Sequence, residues 1–331
     1  MTSRTAAQHT VPHFYLKGFS EPYPGKASKN RKKGREIGTV RLETNSRKLL
    51  STKDATVVRN FYTITGVDDP YEFEASLAKL EEITAPIFRK IINDEVWPLE
   101  AEDREILAIY MATQDVRTPR HRRFLDGLAT SLARLQLVAM GREGVTRRIQ
   151  EDEGIAPTDQ EVDEIFELLS EDKEYAVRVS TNHHIEQIMN LVDKNLKYYI
   201  RRPWILFRFD KGSLITSDTP VSLVSRQPDR NPYMGIGLET ADEIVFPLSR
   251  KAGIIMTHPR ELFGVRGARD QVIAGKFDRL KPHSSVNVAK GFNSLTIHNS
   301  YEWLFHHPKD SHLVPQDLPP HLLPDEVEVT R

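Results

Sequence analysis

The sequence predicts an α+β fold in which a helical middle layer packs on a mixed or mainly antiparallel sheet. Three observations point there. Residues 71–201 repeat apolar side chains every three and four positions, residues 204–258 alternate as strands do, and shorter strand-like segments precede both.

The elements follow in order. The chain starts Gln8-His9-Thr10-Val11-Pro12-His13-Phe14-Tyr15-Leu16-Lys17-Gly18-Phe19, and the apolar surface of Val11, Phe14, Tyr15, Leu16 and Phe19 predicts a start docked on the body. Gln8 and His9 travel inward with it. Residues 25–35 are a glycine-bearing basic run with no apolar period, expected to be a mobile loop, and residues 37–42 and 61–64 read as short strands. Phe73, Leu77, Leu80, Thr84, Ile87 and Ile91 line one face of a helix over residues 71–93. Pro86 is expected to kink or divide it. Residues 102–115 form the next helix, and Pro119 opens another through Phe124, Leu128, Leu132 and Leu135. Residues 143–157 are charged and weakly periodic, so a connector or a frayed helix end is expected there. Thr158 and Glu161 make a capping box, and a further helix runs from near Asn182 to about Arg201.

From Trp204 the period becomes that of strands. Residues 204–209 and 213–216 flank Asp210-Lys211-Gly212 as a hairpin would. Strands are also expected at 221–224, 244–246 and 253–257, with a Pro/Gly/Asn-rich loop before the second of these, and residues 286–305 return to helical spacing. The division expected is one globular domain over 1–307, holding an N-terminal segment with small strands (8–65), a helical region (71–201), a strand-rich region (204–258) and a closing helix (286–305). Residues 308–331 carry five prolines and should form an extended, surface-bound tail.

Composition limits the chemistry. Lysine and arginine number 46 against 47 acidic residues, so wholesale electrostatic binding of nucleic acid is not expected, although a local basic patch stays open. There is no cysteine, which excludes disulfides, thiolate nucleophiles, zinc fingers and iron–sulfur clusters. Any metal must be held by His, Asp or Glu. Neither an apolar signal core nor a run of eighteen apolar residues occurs, so no membrane partner is expected and the default location is the cytoplasm.

Four constellations carry candidate chemistry. His9, beside Gln8 and buried aromatics, suits a proton carrier or metal ligand, or else a structural histidine with Gln8 tying down the terminus. Glu74 and Glu81 lie two turns apart on one helix face, where paired carboxylates hold a hard cation or divide acid and base roles; solvated helical glutamates look the same. Arg117, Arg120, His121, Arg122 and Arg123 surround a helix start suited to an anion, or an exposed basic turn in which Arg117 pairs with a nearby Glu. Asp218, in Ser217-Asp218-Thr219-Pro220-Val221 at a strand end, presents a carboxylate to a cleft or forms an Asx-turn. His183, His184, Glu186 and Gln187 lack the His-Glu-x-x-His order and read as a capped helix start. No phosphate-binding glycine loop, Gly-x-Ser-x-Gly elbow or dinucleotide fingerprint occurs.

Gln8, His9, Val11, Pro12, Tyr15, Leu16 and Phe19 fill every fixed position of an opening Gln-His-x-Val-Pro-x-x-Tyr-Leu-x-x-Phe. Phe61-Tyr62, the helix with Glu74 and Glu81, Arg117-Thr118-Pro119, Ser217-Asp218-x-Pro220-Val221 and Phe246-Pro247-Leu248-Ser249 follow in order, as does a late helix through Asn293. Taken together they resemble a family of uncharacterised bacterial proteins built on a domain of unknown function, over about residues 8 to 305. The resemblance implies no reaction. It marks His9, Glu74, Arg117 and Asp218 as one polar set.

That inventory of a histidine, carboxylates and an arginine matches phosphoryl chemistry. The expectation is a hydrolase of phosphodiester or nucleotide substrates, a nuclease or phosphodiesterase using a divalent metal ion. His9, Glu74 and Asp218 would be catalytic, Gln8, Arg117 and Arg120 would bind substrate, and His9, Glu74, Glu81 and Asp218 would hold the metal. The competing expectation is a non-enzymatic binding or regulatory protein, in which the polar set fixes the N-terminus and an anionic small molecule or nucleic acid is the partner. Geometry separates the two: the hydrolase needs His9, Glu74, Arg117 and Asp218 in one open cleft.

Overall fold

The computed structural model describes residues 7–23, 34–170, 177–226 and 236–319. Most of the basic run (24–33), the loop at 227–235 and the last part of the proline-rich tail (320–331) lie outside the described residues.

Strand β1 (Ala7–His9) leads into the one-turn helix α1 (His13–Leu16), followed by β2 (Glu21–Pro22), β3 (Arg35–Arg41), β4 (Ser46–Ser51) and β5 (Val57–Arg59). β1 pairs antiparallel with β5, Gln8 opposite Val58, and Val11, Leu16 and Phe19 have no exposed surface. Burial of these hydrophobic residues fastens the segment. Five main helices come next: α2 (Glu72–Ile92), α3 (Ala101–Val116), α4 (Pro119–Glu153), α5 (Asp159–Ser170) and α6 (Thr181–Ile200). The remainder alternates β6 (Trp204–Arg208), β7 (Thr216–Ser217), β8 (Ser222–Val224), β9 (Glu243–Ser249), β10 (Ala252–Thr257), α7 (Ala268–Ile273), β11 (Arg279–Lys281), α8 (Val286–Asn299) and β12 (Trp303–His306).

The fold is α+β, with two five-stranded sheets. One runs β11-β6-β10-β9-β8 and is antiparallel except for the β11–β6 pair. The other runs β2-β3-β12-β7 with β4 on the far side of β3, antiparallel throughout. An aromatic cluster joins helices to sheet: Tyr110 of α3 and Tyr15 lie 6.3 and 5.4 Å from Phe246 of β9, and Phe88 of α2 lies 5.5 Å from Tyr110. Each such ring pair adds up to about 1.5 kcal/mol beyond its burial. Beneath α3 sits a fully buried ion pair, Arg104 Nε to Asp278 Oδ2 at 2.8 Å. The Arg104 guanidinium also donates to the Ile200 and Arg202 carbonyls and lies 4.2 Å from the Trp204 ring, while Asp278 accepts the Trp204 N–H.

Several expected elements fall differently. The hairpin is absent: β6 pairs β10 and β11, whereas Thr216 and Ser217 belong to the other sheet against β12. Asn293 of α8 draws the chain away between them, accepting the Ile215 N–H and donating to the Ser213 carbonyl. Phe61 and Tyr62 sit in a turn, and the strand there is β5, just upstream. The closing helix stops at Asn299, and Trp303–His306 is a strand between β3 and β7. α2 continues through Pro86 undivided. Residues 143–153 are helical; the break comes at Gly141, with φ 62° and ψ −178°, backbone that glycine adopts most readily. Finally, the tail is not extended from its start. Pro308–Leu313 is a 3-10 helix, Asp310 and Val314 are buried, and Arg250 grips Asp310 at 2.6 and 2.8 Å.

Candidate functional site

The β1–β5 pairing carries Gln8 and His9 to the C-terminal end of α3, whose Arg117 also reaches Glu81 in the middle of α2. Gln8 has no exposed surface, and its Oε1 accepts the Tyr62 N–H at 2.6 Å. Arg117, the C-cap of α3, donates through one nitrogen to the His9 carbonyl at 2.5 Å and through another to Glu81 Oε1 at 3.0 Å. The Tyr62 hydroxyl donates to the Arg117 carbonyl at 2.6 Å, and its ring lies 5.7 Å from the guanidinium. Burial pushes the Tyr62 hydroxyl up to about 12, with Arg117 pulling the other way. Gln8, His9, Tyr62, Glu81 and Arg117 thus form one network.

Helical spacing extends it. Tyr110, Gln114 and Arg117 follow at i, i+4 and i+7 along α3, facing the Glu74–Glu81 stripe of α2. Burial raises the Glu74 carboxyl above the ordinary carboxylate range, Arg117 opposing and Glu81 adding. Gln8 Nε2, Glu74 Oε2, the Tyr110 hydroxyl, Arg117 Nε and both amide atoms of Gln114 are buried without a hydrogen-bond partner among the described residues. A seam between two helices with this much unused capacity suits ordered water.

The rest of the expected set does not join it. His9 Nε2 donates to the Lys53 carbonyl at 2.9 Å, so the histidine enters the network through its backbone. Asp218 caps the turn into β12, accepting from the Tyr301 and Glu302 N–H groups at 3.0 and 2.7 Å; burial nevertheless pushes its carboxyl up to about 6, those bonds opposing. Arg120 donates to Asn299 at 2.9 Å, and Arg122 to the Phe61 carbonyl and Thr181. The helix start expected to receive an anion is occupied by the fold's own acceptors. Among the described residues no group of three or more His, Asp or Glu side chains is placed to hold a metal ion. The four-ligand metal centre of His9, Glu74, Glu81 and Asp218 is therefore not assembled, because Asp218 is spent on backbone amides and Glu81 on Arg117.

An open cleft lies on the other side of the aromatic wall. It measures about 540 Å³ and is lined by Phe14, Tyr15, Ala85, Phe88, Ile92 and Leu248. Lys17, Arg35 and Arg89 complete its lining together with Gly18 and Asn93, and no carboxylate is among them. Arg35 is oriented by Ser20, which accepts from its Nε at 2.8 Å and from a terminal nitrogen through the carbonyl. Phe14 and Phe88, which close the inner end, lie 5.4 and 5.5 Å from the Tyr110 ring. The cleft and the polar seam share that wall.

A family model described as a protein of unknown function matches residues 7–310, from the first strand to the aspartate held by Arg250. The chain belongs to the DUF4238 family. No curated protein and no solved structure matches it. In this DUF4238 chain, reading the sequence alone singled out Gln8, Glu81 and Arg117 but missed Tyr110, Gln114 and the cleft. The signal for the first two was the seven-residue stripe ending at Arg117, hidden because that arginine reads as the start of the next helix instead of the end of α3. No described helix is long and apolar enough to cross a membrane.

Proposed function

We propose that this chain is a non-catalytic binding or regulatory protein whose ligand is a small anion with an apolar body. One observation carries the reading: three cationic side chains, Lys17, Arg35 and Arg89, stand around an apolar cleft with no carboxylate in its lining among the described residues. Among the described residues no acidic side chain pairs with Lys17 or Arg89. The walls of Phe14, Phe88, Ile92 and Leu248 suit a hydrocarbon or ring better than a phosphate backbone. The buried network of Gln8, Tyr62, Glu81 and Arg117 then has a supporting task, holding the N-terminal segment that forms one side of the cleft. A hydrolase would need His9, Glu74 and Asp218 around one substrate; the separate hydrogen-bond duties of His9 and Asp218, at Lys53 and at the turn into β12, offer it no support. A cytoplasmic setting belongs to the same proposal.

Calorimetric titration with alkyl carboxylates and alkyl sulfates of increasing length tests this. One saturable site is expected, tightening by about 0.8 kcal/mol, or roughly fourfold, per added methylene until the cleft is full. Arg89→Glu on the exposed face of α2 should weaken binding at least about tenfold, and Ala85→Trp should abolish it by filling the space. No saturable binding at any length overturns the proposal. Metal-dependent turnover of a nucleotide or nucleic acid by the wild type, lost in His9→Ala, would restore the hydrolase.

A further inference from the structure

The first part of α4 shows water an apolar stripe that the described residues leave about half exposed or more. Phe124, Leu128, Leu132, Leu135 and Val138 are each between 46 % and 74 % exposed. Phe124, Leu128, Ser131, Leu135 and Val138 follow one another at spacings of four, three, four and three, the seam of a two-helix coiled coil, with Leu132 beside it. The opposite side of the helix is engaged: Thr130 and Leu137 are buried, and Thr130 and Asp126 accept the Val177 and Val179 N–H groups at 2.8 and 2.7 Å. Gly141 ends the straight part, leaving a rod about 33 Å long at 1.5 Å per residue.

We infer that this stripe is the contact with a second copy of the chain, α4 lying antiparallel on α4 across a two-fold axis. The stripe complements itself. Its midpoint is Ser131, the small residue, whose hydroxyl is already satisfied by the Gly127 carbonyl at 3.0 Å; two copies can approach there, with Phe124 meeting Val138 and Leu128 meeting Leu135 of the other copy. Across the paired span, residues 124–138, the charged residues are Asp126, which accepts the Val179 N–H on the engaged side, and Arg134, so no like-charge row opposes the pairing and no strongly charged partner is selected. The exposed apolar surface is on the order of 600 Å² per copy, about 1,200 Å² across the contact, which reaches the size of specific interfaces. This inference does not depend on the cleft.

The absence of native cysteine makes the test direct. Sedimentation of the full chain should show a monomer–dimer equilibrium at micromolar concentration. Ser131→Cys should form a disulfide-linked dimer on mild oxidation, while Gln136→Cys, exposed on the same helix but off the seam, should not. Leu135→Arg should raise the dimer dissociation constant at least about thirtyfold with unchanged circular dichroism. A wild type that stays monomeric throughout, or Ser131→Cys and Gln136→Cys that cross-link equally, overturns the inference. So does a monomer that floats with anionic lipid vesicles, since the stripe would then belong to a membrane surface.

Discussion

His184, on the first turn of α6, has no exposed surface, and neither ring nitrogen meets a hydrogen-bond partner among the described residues. It lies 5.6 Å from the Phe61 ring, and burial, then Arg122 and His121, pulls it down to about 3. The folded chain therefore resists a proton that the unfolded chain accepts below about 6.5. Stability is present above that value and is lost as pH falls toward 3, at up to about 1.4 kcal/mol per pH unit for this one group. His184→Leu should flatten the decline between pH 6.5 and 4.5, measured by urea denaturation across that window. The buried Arg104–Asp278 pair gives a second expectation: Arg104→Ala should cost about 3 to 5 kcal/mol, because Asp278 is left charged and unpaired. Chemical denaturation reads that too. Arg104 does not announce itself in the sequence, since it is one of several charges on its helix and its partner lies 174 positions away; His184 stands out there only as part of a capped helix start. Arg117 was legible, because apolar neighbours flank it. That His9 serves through its carbonyl was not, because a backbone acceptor leaves no mark on residue type.

Elements were most readable where one face is apolar over several turns. α2, α3 and α6 lie where their periods place them, and the Ser180 cap of α6 accepts the His183 N–H. Strands were less readable, because alternation gives a strand its faces and says nothing of its partner. Residues 213–217 illustrate the failure: local turn chemistry suggested a hairpin, and one asparagine on a distant helix redirected the chain. Trp303–His306 was absorbed into the preceding helix for a similar reason, since Asp218 ends the turn from another part of the sequence. The 3-10 helix at Pro308–Leu313 is held by the Arg250–Asp310 pair together with Lys309 near Glu21, Arg47 donating to the Val314 carbonyl, and buried Val314. Asp310→Ala should loosen it by about 1 to 2 kcal/mol, discounted for the partly exposed Arg250. Amide exchange at residues 309–314 should quicken roughly tenfold while exchange in α3 stays unchanged.

At the scale of the molecule, the α+β class was legible from the order of helical and strand periods, whereas the division into two sheets was not. Both sheets are assembled from segments far apart in the chain, and the site inherits that arrangement: the cleft takes Phe14 and Tyr15 from the start, Phe88 from α2 and Leu248 from β9. Tyr15 is the link, donating to the Pro247 carbonyl at 2.7 Å with Thr216 Oγ1 at the same distance. The strand β12 bears a consequence of its own. β3 and β7 are both synthesised earlier, yet the strand that separates them leaves the ribosome after both. During synthesis two sheet edges must wait with their N–H and C=O groups unpaired. A chain halted after Ser300 would keep them so, and its expressed product should be insoluble where residues 1–319 remain soluble, a difference that a simple centrifugation assay records. The birth of this fold is therefore governed by its closing fragment, and premature release or slow translation near residue 300 is its moment of greatest vulnerability.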